Sequence, residues 1–196
     1  MNALAPVRTI GPTAELISLA DAKAQCRVTH SSEDGLIAEL VAAATGWLDG
    51  YSGQLGQALI EQTWSQSFSC FPADRCLRLA LGPLRGTPAV TYYDSAGQAQ
   101  SFTGFVAVSD VLGPKLVLGA QSSWPSVEDR PDAVTVTWQC GFGTTAASVP
   151  VPIIRAAKLL ISHWYQNREA AITGTIVTEL PLAVQALIRP LRKVGM

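Results

Sequence analysis

Residues 31–51 read SSEDGLIAELVAAATGWLDGY and carry the clearest helix signal of the chain. A start pattern of two serines and two acids precedes apolar residues that recur on one face of a 3.6-residue repeat. These are Leu36, Ile37, Leu40, Val41, Ala44, Trp47, Leu48 and Tyr51. The pattern predicts a long amphipathic helix that ends near Gly50 and Gly53, since glycine readily adopts the left-handed conformation of a helix end.

Helix signals also flank this stretch on both sides. Before it, Ser18 can cap a short helix that carries Asp21 in its first turn and runs to about Cys26. After Pro150 and Pro152, which suit a first helical turn, an apolar stripe returns. Its members are Ile153, Ile154, Ala157, Leu160, Ile161 and Trp164.

The end of the chain has a weaker helix signal. Residues 170–178 are small and polar, as in a loop. Pro181 then opens a last helix that bears Val184, Leu187 and Ile188, and Pro190 ends or kinks it.

Between residues 63 and 140 the apolar period changes from 3.6 to two, which is typical of strands. Turn pairs such as Gly82-Pro83 and Thr87-Pro88 separate the runs. Five or six short antiparallel strands fit, whereas a parallel sheet would need crossover helices. The alternating apolar residues are Trp64, Phe68, Cys70, Leu77, Leu79, Leu81, Val134, Val136 and Trp138.

These signals predict an α+β protein, in which helices from the N- and C-terminal segments form a bundle with an inserted antiparallel β region and a C-terminal tail helix. We expect a single domain over residues 1–180 and a docking tail over 181–196. Within the domain, the helices occupy 18–53 and 150–168 and the β region occupies 62–140.

The 196 residues have a net charge of −1 and only 15% charged residues, against about 25% in an average soluble protein. A near-neutral chain does not obtain its affinity by neutralising nucleic acid phosphates, and a low charge fraction favours a surface covered by partner subunits. The exception is the basic end, because residues 151–196 hold six Lys and Arg against two acids. No membrane span or secretion signal is predicted, so the four cysteines are expected as reduced, buried thiols in the cytoplasm.

Candidate catalytic and metal-binding residues each have a simpler explanation. Ser52 lies in Gly50-Tyr51-Ser52-Gly53-Gln54, which lacks the last glycine and the preceding strand of a hydrolase elbow. His163 has no acid one helical turn away. A helix start explains the adjacent acids Glu33 and Asp34. The exit from a strand explains Gly141 and Gly143. Glu128, Asp129 and Asp132 do not have the spacing of a calcium-binding loop. We predict no enzyme, metal or cofactor.

Nine short motifs, in order along the chain, resemble the head-tail connector (adaptor, or head-completion) family of long-tailed bacteriophages, prophages and gene transfer agents. The resemblance spans roughly residues 15–190. The motifs are SLADAK at 18–23, EDGLI at 33–37, AAA at 42–44, QTW at 62–64, PL at 83–84, VTVT at 134–137, PIIRAA at 152–157, HWYQNRE at 163–169 and LPLAV at 180–184.

The resemblance implies a structural protein of the particle neck, assembled in the bacterial cytoplasm. Members bind beneath the portal protein, usually as a ring of twelve copies, and extend the DNA channel towards a stopper or tail-completion protein. The expected partners are therefore the portal, the stopper, further copies of the chain and, transiently and non-specifically, the passing DNA.

Similar adaptors grip the portal with a C-terminal segment, which here corresponds to residues 182–196. We expect this tail to be loosely ordered alone and to fold against the portal, with apolar anchors between basic residues. The candidate portal-binding residues are Leu187, Ile188, Arg189, Leu191, Arg192, Lys193 and Val194. Neighbouring copies are expected to meet through the helices near Trp47 or Trp164, although both could be core residues.

Three alternatives remain at this point. The chain could be another neck ring protein, a stopper or a tail terminator, but the order of helices, strands and helices favours an adaptor. It could be a β-rich carbohydrate-binding module, with aromatic rings that stack on sugars: Trp64, Tyr92, Tyr93, Trp124 and Trp138. An enzyme is the least favoured.

Overall fold

The computed structural model describes residues 1–168 and 182–193. This part of the chain forms four α-helices, eight β-strands and 3-10 turns at Ala146–Ser148 and Arg189–Leu191, so the α+β class is confirmed. The helices are α1 (Leu19–Cys26), α2 (Asp34–Leu48), α3 (Val151–Gln166) and α4 (Leu182–Ile188). The strands are β1 (Val7–Ile10), β2 (Gln62–Phe68), β3 (Cys76–Arg78), β4 (Leu84–Tyr93), β5 (Ala99–Ser101), β6 (Phe105–Asp110), β7 (Gly113–Leu118) and β8 (Val134–Cys140).

The described chain divides into two compact units. The β unit comprises residues 1–13 and 61–142, and the helical unit comprises 14–60, 143–168 and 182–193. Helix α4 belongs to the helical unit. The predicted loop at 170–178 lies outside the described residues.

Local capping explains the ends of the first helix. The Ser18 hydroxyl accepts the Asp21 backbone N–H at 3.1 Å, as the sequence predicted. At the other end Arg27 is left-handed, with φ of 59°, and the Val28 N–H donates to the Lys23 carbonyl at 3.0 Å. This pattern satisfies carbonyls that the last turn would otherwise leave without partners.

Three helices share the apolar core of the helical unit, since α1, α2 and α3 contact one another. α2 buries Ile37, Val41, Ala44 and Leu48, and α3 buries Ile153, Ala156, Ala157, Leu160 and Ile161. The helix stops at Leu48, and Gly50 just beyond it has a φ of +82°, which agrees with the predicted stop near this glycine. The placement of Tyr51 on the buried stripe was wrong, because this side chain is 54% exposed.

The β unit contains a five-stranded sheet in the order β1-β2-β8-β4-β5 and a three-stranded sheet in the order β3-β7-β6. Every strand pair is antiparallel, and Trp64 on β2 lies opposite Trp138 on β8. Alternation of buried and half-buried residues along both strands matches the predicted period of two. The structure adds β1, which the sequence did not predict.

No helix within the described residues is long and apolar enough to cross a membrane. All four cysteines lie in the described part and are free thiols. Only Cys140 is fully buried, whereas Cys26, Cys70 and Cys76 are half-buried, which corrects the expectation of four buried thiols.

Candidate assembly surfaces

The C-terminal segment, residues 182–193, packs on the helical unit of its own chain. α4 contacts α3, and the side chains of Val184 and Ile188 are buried. Ile188, a candidate portal anchor, is only 6% exposed. In the structure the apolar side of α4 is therefore covered by the chain's own helical unit.

Two hydrogen bonds hold the end of this segment against residues 55–57. The Lys193 N–H donates to the Leu55 carbonyl at 2.9 Å, and the Gln57 side-chain amide donates to the Leu191 carbonyl at 2.5 Å. Gly56, between Leu55 and Gln57, has a φ of +60°. A Cβ atom at this position would lie 3.3 Å from the Lys193 carbonyl oxygen. Glycine is therefore required by both its conformation and the close approach of the segment.

The candidate portal-binding residues differ in their accessibility. Arg189 and Arg192 are exposed, whereas Leu187, Leu191 and Lys193 are half-buried. Val194 lies outside the described residues. The structure therefore presents two cations to solvent beside half-buried aliphatic side chains, with Ile188 directed into the helical unit.

The candidate ring residues Trp47 and Trp164 lie at the margins of the apolar stripes of α2 and α3. Each is half-buried. The outward face of α2 carries mostly small side chains, with Gly35, Ala38, Ala42 and Gly46 exposed, and Glu39 is the large side chain exposed among them. A face of this kind lets another backbone approach closely.

A polar network joins the start of α2 to the end of α3. Glu33 accepts hydrogen bonds from the Tyr165 hydroxyl and from Arg168, whose Nη2 lies 2.6 Å from a Glu33 oxygen. The Tyr165 hydrogen bond, and then that of Arg168, lower the pKa of Glu33 below its ordinary value. The pair Lys23 and Asp34, 2.5 Å apart, adds a contact between α1 and α2. These groups have structural partners, which explains the two adjacent acids without catalysis.

Other chemistry considered from the sequence also has structural explanations. Arg130 bridges Glu128 at 3.5 Å and Asp132 at 2.7 Å, so these acids neutralise a guanidinium. The ring nitrogen Nδ1 of His163 lies 3.3 Å from the Asn167 amide. Ser52 is exposed in the loop after α2. Among residues 1–168 and 182–193, no three His, Cys, Asp or Glu side chains cluster as metal ligands would.

Two of the five candidate sugar-stacking residues are buried, and a neighbouring side chain covers one ring face of two others. Trp138 is 1% exposed and Trp64 is 7% exposed, so neither ring can stack on a ligand. Trp124 stacks on Phe71 with ring centroids 4.8 Å apart, and Arg130 covers the Tyr93 ring at 3.9 Å. The geometry therefore opposes the carbohydrate-binding alternative.

Residues 16–69, which include α1, α2 and β2, match the family model of the phage gp6-like head-tail connector proteins. The resemblance to head-tail connectors is confirmed. The matched family consists of connectors and not of enzymes, which confirms the expectation of a structural protein. No curated protein matches the chain.

Solved structures extend the likeness to nearly the whole chain. A chain in a structure described as the neck of an empty gene transfer agent (GTA) particle, with C6 symmetry, has a TM-score of 0.78 and 20% identity. A chain in the virion of a native GTA particle has a TM-score of 0.78 and 21% identity, and one in the native GTA neck, with C12 symmetry, has 0.72 and 18%. Each match covers 98% of this chain and 97% of the other. At these identities the likeness establishes the fold.

Proposed function

We propose that this protein is an adaptor in the neck of a tailed phage or gene transfer agent particle. It binds the portal ring, continues the DNA channel and links the portal to a stopper or tail-completion protein. The observation that carries the proposal is the match of residues 16–69 to the connector family, together with a fold shared over almost the full length with chains from GTA necks.

In this proposal the copies form a ring, as the C6 and C12 symmetries of the similar necks suggest. The near-neutral net charge suits a channel through which DNA slides without binding tightly. The protein assembles in the bacterial cytoplasm and then resides in the particle neck.

The C-terminal segment is the proposed portal contact. Arg189 and Arg192 pair with acidic groups of the portal, and Leu187 and Leu191 fill grooves between its subunits. Participation of Ile188 requires that α4 leave the position in which the structure buries this side chain. Lys193 and Val194 extend the same contact.

The exposed arginines provide the cleanest test. The double variant Arg189→Glu/Arg192→Glu is expected to weaken binding to purified portal rings at least tenfold at moderate ionic strength, because attraction becomes repulsion. Deletion of residues 182–196 is expected to weaken it further. Sedimentation with portal rings measures both, and Arg155→Glu, an exposed arginine of the same unit, is the control. Wild-type binding by the deleted chain and by the double variant would reject the docking proposal.

The helices supply the proposed seam between copies, with Trp47 and Trp164 at the contact. Trp47→Ala and Trp164→Ala are each expected to lower ring formation at least tenfold. Each substitution removes an indole ring on which the neighbouring copy packs in this proposal. Analytical ultracentrifugation measures the fraction of protein in rings. Urea unfolding of the monomer measures how much each substitution lowers the stability of the single chain. Tyr51→Ala, an exposed aromatic, is the control. If the variants destabilise the monomer and the assembly equally, both tryptophans are intramolecular core residues.

A further inference from the structure

The hairpin of β6 and β7 places aliphatic side chains where turns normally carry small or polar ones. Asp110 pairs with Gly113, so Val111 and Leu112 form a two-residue turn. Hairpin turns of this length favour Gly, Asn and Asp. Here Val111 is 87% exposed and Leu112 is 52% exposed. Folding alone does not explain two large aliphatic residues at this position.

The turn is anchored by one carboxylate that contacts two cations. Asp110 Oδ1 accepts the Leu112 N–H at 2.9 Å, and the two Asp110 oxygens contact Arg78 at 3.1 and 3.2 Å. Lys115 Nζ lies 2.9 Å from Oδ2. The hydrogen bonds from Arg78 and Lys115 hold the pKa of Asp110 well below its usual range, so it is ionised at neutral pH. Asp110 therefore links the turn to Arg78 on β3 and to Lys115 on β7.

The apolar surface continues from the turn along β6, an edge strand of the three-stranded sheet. Val106 and Val108 are 57% and 38% exposed on the outward face of this sheet. Val106 lies opposite Val117, which lies opposite Cys76 on β3, so one apolar row crosses all three strands. We call Val106, Val108, Val111 and Leu112 the hairpin edge.

A second apolar edge lies on β1, at one margin of the five-stranded sheet. Val7 and Ile10 are 61% and 59% exposed, and Leu4, just before the strand, is 48% exposed. Among the described strands β1 pairs only with β2. We call Leu4, Val7 and Ile10 the β1 edge. Exposed apolar edge strands promote pairing with other chains unless something covers them.

The two edges lie on different sides of the β unit. Strand β6 contacts β4, whereas β2 and β8 separate β1 from β4. Three strand spacings of about 4.8 Å place β1 about 14 Å from β4. Two different surfaces on different sides of one unit are what a head-to-tail contact requires, and repetition of such a contact gives a ring when the rotation between copies closes. A self-paired contact of either edge would leave the other bare.

We propose that the hairpin edge of one copy packs against the β1 edge of the next copy in the ring. This contact rests on the proposed ring and adds a second seam, formed by the β units, to the helical one. Val111 and Leu112 insert beside Val7 and Ile10 of the neighbouring copy, so one repeated contact covers both apolar edges.

Cysteine cross-linking tests the proposed pair. In a Cys76→Ser background, the double variant Ile10→Cys/Leu112→Cys is expected to form a ladder of covalent oligomers under mild oxidation, in concentrated purified protein and in particle necks. Each single variant alone is expected to form no covalent oligomers. A mixture of the two single variants is expected to stop at dimers, because each chain then carries one reactive edge. The Cys76→Ser chain itself measures background from the remaining cysteines.

Other contacts of the hairpin edge and the β1 edge would give different cross-linking results. Dimers from either single variant indicate a self-paired contact and overturn the proposal. Cross-links from Leu112→Cys to another neck protein, or no cross-link in necks that contain the double variant, also overturn it. The portal assay reads the C-terminal segment separately. A normal ladder, with wild-type portal binding by the chain that lacks residues 182–196, rejects the docking role alone. Portal binding that depends on residues 182–196, without a ladder, rejects this contact alone.

Discussion

Replacement of Trp138 by alanine is expected to lower the free energy of unfolding by about 3–5 kcal/mol. Trp138 is 1% exposed on β8, which lies between β2 and β4 in the five-stranded sheet. Its indole Nε1–H donates to the Leu81 carbonyl at 3.1 Å. Truncation therefore removes a large apolar contact, leaves a cavity in a close-packed interior and deprives a buried carbonyl of its partner.

Urea unfolding followed by circular dichroism measures this effect. Trp138→Phe keeps most of the ring volume and loses the hydrogen bond, so it is expected to cost less than the alanine variant. Tyr51→Ala, at an exposed aromatic residue, is expected to stay within about 0.5 kcal/mol of the wild type. A loss below about 1 kcal/mol for Trp138→Ala would contradict the packing described for the β unit.

The variant Val184→Asp is expected to release the C-terminal segment from the helical unit. Val184 is fully buried where α4 contacts α3. Burial of an ionised carboxylate without a partner costs several kcal/mol. Helix α4 has only seven residues, too few to be stable in isolation. Detachment of the segment is therefore less costly than keeping the charge buried.

Hydrogen exchange read by mass spectrometry measures the release. Amide protection across residues 182–193 is expected to fall at least 100-fold, while α3 keeps most of its protection. Leu182→Asp, on the same helix but 76% exposed, is the matched control and is expected to exchange as the wild type does. Equal protection in Val184→Asp and the wild type would show that α4 does not depend on this buried contact.

Several elements could be predicted from local signals. The Ser18 cap and the proline start of α3 act through neighbouring residues, so the sequence is sufficient to place them. The end of α2 is different. The Asp49 carboxylate accepts the Leu59 N–H at 2.8 Å, and the Gln54 N–H donates to the Trp47 carbonyl at 2.8 Å. These loop contacts end the helix at Leu48, and no periodicity encodes them.

Strand β1 was missed for a related reason. All four of its residues are exposed, so it has no alternation of buried and exposed positions. It becomes a strand through pairing with β2, more than 50 residues later in the chain. The same limit applies to the hairpin edge, because exposure of Val106 and Leu112 depends on which strands cover them.

For the candidate assembly surfaces, the sequence located the C-terminal aliphatic residues and the basic residues among them. It could not decide whether the chain itself or a partner covers Ile188. An apolar stripe indicates that its side chains will be buried, but it does not indicate which surface will cover them. By itself the sequence determined the succession of helices, a β region and further helices, together with the starts of α1 and α3, because caps, turns and periodicity act over a few residues. Only the tertiary structure decided where α2 ends, which strands lie at the edges and what covers α4, because those depend on contacts between residues far apart in the chain.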